Sequence, residues 1–498
     1  MKLIYAVALL SMLPFGIFAQ EGSTEDRLKR LEKMLNSMQK EMKSKDDKIQ
    51  GLEKKVNTLQ GRKRSSQLSD DELLNKMIDE NHNDSVKFLN ARDKNRIRLG
   101  DTVQTVLETL DMSVVASTVF GTSNLRNDQL AEFQGGGHDP NKRGFNFQQM
   151  ELAVSGTVDD LFDYQGFILF TEDEVELEEA YITTRSLPYD LKVKLGTFLT
   201  EFGIINQQHV HSWDFIDQPI INTRIFGGEG MRGPGASISW LAPVPWYSEV
   251  ILGVQNSDGD FMTSFRGEGH DHGGGHDEHE DEEFEEAVGG APYNEIEDTR
   301  NSEDMVYLTR WVNTFDVAKD ATLQFGLSSL WGDNHTGGNT WIYGADMKLV
   351  VDNDPTLGRP NWVWQTEIMK RKYHVRAGTV IEDETGPVTF EREGDDIEDW
   401  GLYTQVIKAL NKKWSAGIRF EYASGSGESY EHDERPARDT DFNRSDRIRI
   451  SPLLVYQHSE FTKFRLQYNH DDSDSDDTGS TIWFGVEILL GKHPAHNF

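Results

Sequence analysis

The chain has no cysteine among its 498 residues, so disulfide bonds and thiolate metal sites are excluded. It also has no segment that approaches about 18 consecutive apolar residues, the length that a membrane-spanning helix needs. Positive charge is scarce: 51 Lys and Arg stand against 85 Asp and Glu, a formal net charge of -34. These deficits exclude a helical membrane protein and argue against nucleic acid and anionic lipid as partners.

Motifs of the common catalytic classes are missing as well. The sequence contains no Walker loop, no G-x-S-x-G and no H-E-x-x-H. We therefore do not expect an enzyme, and nothing in the sequence requires a cofactor.

The first twenty residues have the composition of a secretory signal peptide. Lys2 supplies a positive start, Leu3 to Leu13 an apolar centre and Phe15 to Ala19 the approach to a cleavage site. The apolar run is too short to span a membrane. We predict that residues 1–20 are removed on export.

A heptad pattern follows the leader. Ten positions between Leu28 and Leu59 recur at alternating spacings of three and four, and nine of them are apolar, with Lys45 as the exception. This spacing predicts a parallel α-helical coiled coil over residues 21–64. The alternative is an amphipathic helix packed on the same chain. A polar linker is predicted for residues 65–101.

The remaining residues, 102–498, repeat one unit of about ten residues in which apolar and polar side chains alternate. Near the C-terminus, for example, Phe484, Val486 and Ile488 share one face while Glu487 lies on the other. Behind a leader, this repeat predicts an all-β membrane protein, a 16-stranded antiparallel transmembrane β-barrel. The predicted strands are 103–120, 145–157, 161–171, 174–185, 191–199, 234–242, 246–256, 305–315, 321–331, 340–351, 361–380, 398–409, 413–423, 446–457, 460–470 and 479–490.

The connections between these strands alternate in length. Short turns typically lie in the periplasm and long loops outside, so an even number of strands places both barrel ends and the coiled coil in the periplasm. The long loops, rich in Gly and Asp, are predicted at 121–144, 200–233, 257–304, 332–339, 381–397, 424–445 and 471–478.

The loop 257–304 contains an unusual acidic and histidine-rich stretch. Its four histidines and ten carboxylates lie within nineteen residues, a mixture that suits divalent cations such as zinc. A solvated acidic loop without a defined site is the alternative interpretation. The candidate metal ligands are His270, His272, His276 and His279.

A second candidate site lies in the loop 200–233. In an extended segment His209 and His211 project to the same side, and Asp214 and Asp217 lie about one helical turn apart, so a metal site is geometrically feasible. The alternative is a constriction loop folded into the lumen, whose Trp213 and Phe215 pack on the wall. Both interpretations hold if a metal-selective pore carries its ligands at its narrowest level.

Strand phase also predicts charged side chains that line the lumen. They are of both signs, as in any water-filled barrel, and indicate polarity without selectivity. The candidates are Glu151, Lys192, Lys194, Asp346, Lys348, Arg419, Glu421, Arg447, Arg449, Arg465 and Glu487.

The arrangement of leader, coiled coil, sixteen strands and inward loop resembles the phosphate-selective porin O and P superfamily. Within it, three segments look like zinc-regulated outer-membrane proteins: Phe198 to Asn206, His209 to Phe215 and Ser239 to Pro243. The resemblance implies a homotrimer of channels. Phosphate porins, however, line the pore with an arginine ladder and basic loops, whereas this chain is strongly acidic. That departure favours a divalent cation over phosphate.

The sequence thus predicts an outer-membrane porin of a Gram-negative-type envelope, a passive channel for small ions or solutes that favours divalent cations such as zinc. Two alternatives stay open. One is a phosphate- or anion-selective porin. The other is a barrel that anchors a tether, whose coiled coil contacts the cell wall or a periplasmic partner. The expected surroundings are outer-membrane lipid, with the N-terminus in the periplasm.

Overall fold

The computed structural model describes the greater part of the predicted barrel. The predicted signal peptide, coiled coil and linker lie outside the described residues, as does residue stretch 268–298 with its four histidines, and these features stay predictions. The described residues are 111–172, 174–267, 299, 301–382, 388–392, 394–427, 444–474 and 478–491.

Eighteen strands occur among the described residues, and sixteen of them form one closed antiparallel barrel. In chain order they are β1 (Asp111–Ser123), β2 (Gly144–Val158), β3 (Phe162–Phe170), β4 (Val175–Thr184), β5 (Leu191–Leu199), β6 (Arg232–Leu241), β7 (Tyr247–Gln255), β8 (Val306–Ala318), β9 (Ala321–Asp333), β10 (Asn339–Val351), β11 (Trp362–Val375), β12 (Gly378–Glu382), β13 (Val388–Arg392), β14 (Asp395–Ala409), β15 (Trp414–Ser426), β16 (Arg447–Ser459), β17 (Thr462–Ser473) and β18 (Thr478–Gly491). Consecutive strands of the chain pair with one another, except that β11 pairs with β14 across the excluded β12 and β13, and β1 pairs with β18 to close the ring. The predicted sixteen-stranded antiparallel barrel is confirmed.

One strand prediction needs correction. The segment 361–380 is not a single strand, because β11 ends at Val375 and the chain leaves the barrel there. A separate two-stranded hairpin follows, in which β12 begins within the last residues of the predicted strand and β13 lies in the predicted loop 381–397. Apolar residues occur on both sides of the break, at Val375 and again at Val380 and Ile381, so the prediction joined the two strands into one. The predicted start of the first strand, at residue 103, lies outside the described residues.

Aromatic side chains form a belt at each end of the outer surface. At the end with the long loops, Tyr307, Trp331, Trp341 and Tyr343 stack in a row, with successive ring centroids 5.6, 5.9 and 6.1 Å apart. At the other end Trp414 contacts the tyrosine ring of the next strand at 4.7 Å. Such belts are typical of barrels that contact lipid. Apolar side chains exposed on the outer surface include Leu195, Leu252, Leu327, Ile368, Ile418, Leu466, Ile482 and Ile488.

Two short helices lie in the loops. Helix α1 (Asn127–Phe133) follows β1, and helix α2 (Ile220–Phe226) lies between β5 and β6. Among the described residues, neither these nor any other helix is long and apolar enough to cross a membrane.

The connection from β5 to β6 folds into the barrel, and we call its residues 200–231 the lumen loop. The loop carries α2 and two single turns of 3-10 helix, Ile205–Gln207 and Val210–Ser212. Its apolar side chains form one buried cluster with side chains of seven barrel strands from β7 to β15. The loop members of that cluster are Phe202, Ile205, Val210, Trp213, Ile220, Ile221, Ile225, Phe226 and Met231.

Candidate functional site

The lumen loop contacts two parts of the wall that carry different charges. Carboxylates of β2 and β4 surround two histidines of the loop, and we call Glu151, Glu178, Glu179, His209 and His211 the acidic cluster. Arginines of β15, β16 and β17 bind the loop further along, and we call Arg419, Arg447, Arg449 and Arg465 the arginine cluster.

The two histidines of the acidic cluster both face carboxylates. His209 lies with Nδ1 2.9 Å from Oε2 of Glu178 and with Nε2 2.9 Å from Oε2 of Glu179. His211 has Nδ1 3.0 Å from Oε2 of Glu151. All five residues are at most 5% exposed. Three carboxylates and two imidazoles therefore share one buried volume.

A β-bulge explains how two consecutive carboxylates reach the lumen together. In a regular strand Glu178 and Glu179 would project to opposite faces. The pairing of β3 with β4 shifts by one residue between Phe167 and Ile168, because Glu178 is an extra residue on β4. Both glutamates are consequently buried on the inner face. Bulges commonly re-aim side chains beside functional sites in this way.

The environment of His209 favours its charged form. Burial opposes a charge on the imidazole, but the carboxylates of Glu178 and Glu151 outweigh that cost and hold the pKa of His209 well above its ordinary value. The ring of Phe167 packs against His209 with centroids 4.2 Å apart and shields it on that side. As an imidazolium, His209 can donate from both nitrogens, as the two short contacts require.

A further pair of a histidine and a carboxylate joins the lumen loop to another loop. His138, in the connection between β1 and β2, has Nε2 2.7 Å from Oε2 of Glu229 in the lumen loop, and both are nearly buried. Burial opposes a charge on His138, but the Glu229 carboxylate raises its pKa to about 9. Asp139, the next residue, accepts from the backbone N–H groups of Gly136 and Gln218. The first loop is thus tied to the lumen loop by charge and by backbone hydrogen bonds.

The arginine cluster is organised around Asp217 of the lumen loop. This carboxylate is fully buried and forms ion pairs with Arg419 and Arg449. It also accepts from the side-chain amides of Gln467, at 2.7 Å, and Asn469. Charge-assisted hydrogen bonds of this kind are the strong ones in proteins, and four donors satisfy both oxygens of Asp217.

Arginines of the cluster also donate hydrogen bonds to backbone carbonyl groups. Arg465 donates to the carbonyl oxygens of Trp213 and Phe215 at 3.1 and 3.0 Å. Arg447 and Arg449 both donate to the carbonyl of Phe133, the last residue of α1. Cations are favourable at the C-terminal end of a helix, where carbonyl groups lack intrahelical partners. The arginine cluster therefore fixes both loops that enter the lumen.

A third part of the wall, strand β11, also holds the lumen loop. The backbone N–H of Ile205 donates to Glu367 of β11 at 2.9 Å. Around the ring, β11 lies seven strands from β4, whose Glu178 contacts His209. The short segment from Ile205 to His209 thus bridges nearly opposite parts of a sixteen-strand wall.

The other predicted lumen residues differ in how far the structure buries them. Asp346 is buried in an ion pair with Arg310 at 2.6 Å, and Lys194 pairs with Glu201 at 2.6 Å. Lys348 is half-buried and Lys192 is exposed. Two further candidates form ion pairs with basic side chains of the barrel: Glu421 with Arg419, and Glu487 with Arg465 and Lys463.

The predicted four-ligand metal set is not brought together. His209 and His211 lie in the acidic cluster, whereas Asp217 is held by arginines and Asp214 accepts from Gln405 at 3.1 Å. Among the described residues, the group whose ligand atoms lie within 4.8 Å of one another is Glu151, Glu178 and His209. The correction has a physical reason, since each aspartate finds stronger or nearer donors on the wall. His270, His272, His276 and His279 lie outside the described residues.

Sequence reasoning missed Glu178 and Glu179, although β4 carries a signal for them. Its outward apolar residues are Val175 and Leu177, then Ala180 and Ile182, so the alternation slips by one position after Leu177. A slip of one in a two-residue period indicates a bulge, and the extra residue here is a glutamate.

Comparisons with known proteins add the following. No protein-family model matches the chain. An uncharacterized protein of Aquifex aeolicus (strain VF5) is 28% identical over 421 residues, which cover 78% of this chain and 80% of that protein.

Several solved outer-membrane proteins are similar in fold. The anion-selective porin from Comamonas acidovorans has a TM-score of 0.46 at 8% identity over 77% of this chain and 99% of its own. The trimer form of OmpT of Vibrio cholerae gives 0.43 at 8% over 77% and 99%, and the channel DcaP of Acinetobacter baumannii 0.42 at 9% over 76% and 96%. Because these TM-scores are below 0.5, the strand pairing and not the similarity establishes the barrel.

Proposed function

We propose that this protein is an outer-membrane porin, a passive channel whose permeation path is set by the lumen loop. The single observation that carries the proposal is a closed sixteen-strand barrel with apolar residues and aromatic belts outside and charged side chains inside. A barrel of this size has room for an aqueous path, and its closed backbone hydrogen bonding suits a lipid surrounding.

The acidic cluster supports a preference for divalent cations. Its three carboxylates outnumber its two imidazoles, and Glu176 and Glu229 add negative charge beside Arg232. Low-dielectric walls focus such a field and raise the local concentration of counter-ions. Imidazole and carboxylate together suit borderline metals, and zinc is the cation that we propose.

The arginine cluster is the observation that favours the alternative, an anion-selective porin. Its guanidinium groups, however, already bind Asp217, Glu421, Asp471 and Glu487. Paired arginines attract passing anions less than free ones would, because the neighbouring carboxylates cancel much of their field. We therefore rank cation selectivity first.

Planar bilayers test the proposal directly. Purified protein should insert as a channel, and reversal potentials in a salt gradient should favour cations, with a current that micromolar zinc alters. Currents that favour anions and ignore zinc would replace the cation assignment with the anion-selective alternative. A complete lack of conductance would remove the porin assignment.

Assembly and orientation complete the proposal. We propose a homotrimer with the N-terminus in the periplasm, supported by the heptad pattern of residues 21–64. A trimer predicts conductance steps in groups of three. Deletion of residues 21–95 separates this function from a tether, because a channel would still conduct whereas a tether would lose its envelope phenotype.

A further inference from the structure

We propose that Glu151, Glu178 and His209 bind one divalent cation of the zinc type, and that this ion fastens the lumen loop to β2 and β4. The proposal takes its chemistry from the cation preference proposed above, but it does not depend on conduction. It assigns a fixed binding site within the barrel, distinct from ions in transit.

The spacing of the three ligand atoms is close to what zinc needs. Ligand atoms about 2.1 Å from a tetrahedral zinc ion lie about 3.4 Å from one another. Nδ1 of His209 lies 2.9 Å from Oε2 of Glu178 and 3.5 Å from Oε2 of Glu151. All three ligand atoms lie within 4.8 Å of one another, so small shifts of the side chains would admit the ion in exchange for the proton on Nδ1.

The outer contacts of the site have the pattern of a metal centre. A metal-bound histidine commonly donates its other ring N–H to a carboxylate, which fixes the ring. Nε2 of His209 lies 2.9 Å from Oε2 of Glu179, and Oε1 of Glu179 in turn accepts from the backbone N–H of Leu199 at 2.7 Å. On the other side, Nδ1 of His211 lies 3.0 Å from Oε2 of Glu151 and orients that ligand carboxylate. Glu179 and His211 are therefore positioning residues.

Charge gives the second argument. The acidic cluster contains three buried carboxylates, and full protonation of both histidines still leaves one negative charge. Buried charges are costly unless they are paired. A divalent cation that replaces the Nδ1 proton of His209 adds one positive charge net and removes that excess.

A polar group beside the cluster is consistent with a further ligand or a metal-bound water. Gln149 lies two residues before Glu151 on the inner face of β2 and is 1% exposed. Within the described part of the chain, neither atom of its amide has a hydrogen-bond partner. Buried polar groups usually have partners, so this amide has unused hydrogen-bonding capacity next to a three-ligand site.

The test measures metal binding to the full chain in detergent, after chelator treatment. The four loop histidines could also bind metal, so every protein carries His270→Asn, His272→Asn, His276→Asn and His279→Asn; we call this the parent. Cobalt(II) is the spectroscopic probe, because a four-coordinate site gives strong visible absorption, and zinc is then used to displace it. Each variant is run on a gel with and without heating. A folded barrel migrates more slowly after heating than before it, which checks that the variant is folded.

The parent should bind one cobalt per chain, and zinc should displace it. His209→Ala and Glu178→Gln should lose that site, and Glu179→Gln should weaken it roughly 10- to 100-fold, the usual effect of an outer-shell carboxylate. Asp399→Asn is the matched control, a buried carboxylate on β14 that pairs with Arg371 at 2.7 Å, and should bind as the parent does.

Hydrogen exchange tests whether the metal ion fixes the lumen loop to β2 and β4. Zinc should slow backbone exchange in residues 205–213 of the parent and leave the His209→Ala protein unchanged. The proposal is overturned if the parent binds no stoichiometric metal, or if His209→Ala and Glu178→Gln bind it with parental affinity. A channel that conducts without this site leaves the porin assignment intact, whereas a metal-binding barrel that does not conduct removes the porin assignment alone.

Discussion

The acidic cluster and the arginine cluster hold the same loop by different physical means. Arg419 and Arg449 carry permanent charges, and their planar forks match the carboxylate of Asp217 in a fixed geometry. His209 owes its charge to protons that a cation can replace, and it contacts Glu178 and Glu179. The arginine side is therefore a permanent attachment, whereas the acidic side is an attachment whose strength depends on what it binds.

Among the changes that test this comparison, loss of Asp217 should have the largest effect on stability. Asp217→Ala removes the buried carboxylate that Arg419 and Arg449 share and leaves them with Glu421 and Asp471 as partners. Breaking a buried pair typically costs about 3–5 kcal/mol. We expect easier unfolding in urea and proteolysis within residues 200–231. Asp352→Asn, an exposed turn residue, is the control and should behave as the wild-type chain. Wild-type stability in Asp217→Ala would show that the arginine side does not anchor the loop.

The His138–Glu229 pair should make stability depend on pH. The folded pKa of His138 is about 9, above its ordinary value of 6.5, so the pair stabilises fully below about pH 6.5 and its contribution is lost as pH rises through about 9. That contribution is at most about 3 kcal/mol. Melting temperatures at pH 6 and pH 10 should therefore differ more for the wild-type chain than for His138→Asn. Equal differences would assign the pH dependence to other groups.

A side chain added at Gly344 should loosen the lumen loop without changing any charge. A Cβ there would lie 2.6 Å from the Phe202 ring, so Gly344→Ala must displace the start of the lumen loop, at a cost of about 1–3 kcal/mol. Gly166→Ala is the matched control, because its Cβ would meet nothing nearer than 3.8 Å. Channel conductance and thermal stability of the two variants should differ; identical values would mean that Phe202 moves freely.

Neutralising one charge in the acidic cluster and one in the arginine cluster should shift ion selectivity in opposite directions. These changes should have the smallest effect on stability. Glu151→Gln removes negative charge from the acidic cluster and should shift reversal potentials toward anions. Arg447→Gln removes positive charge from the arginine cluster and should shift them toward cations. Shifts of the same sign in both variants would show that the path does not pass between the two clusters.

Local pattern was enough to predict the barrel. Each strand buries one face, so apolar residues recur at every second position, and all sixteen barrel strands follow from that period. The break after Val375 was missed because the apolar residues of β12, outside the ring, were taken as the end of the same strand. A two-residue period describes a strand but carries no information about which sheet receives it.

The candidate site was predicted only in part, because its contacts join residues far apart in the chain. His209 and His211 drew attention by their spacing, but their partner Glu151 lies about sixty positions earlier, and Asp217 meets Arg419 202 positions later. Only barrel closure and the inward fold of the loop decide which carboxylate meets which base. Glu178 and Glu179 were recognisable in principle, through the slipped alternation in β4.

The segment from Ile205 to His209 has a mechanical consequence. It is bonded to β11 through Glu367 and to β4 through Glu178, strands nearly half a circumference apart. Flattening the barrel along that diameter would compress these charge-assisted bonds, and widening it would stretch them. The loop therefore connects two distant parts of the wall, and a change in the distance between them would be resisted by these bonds.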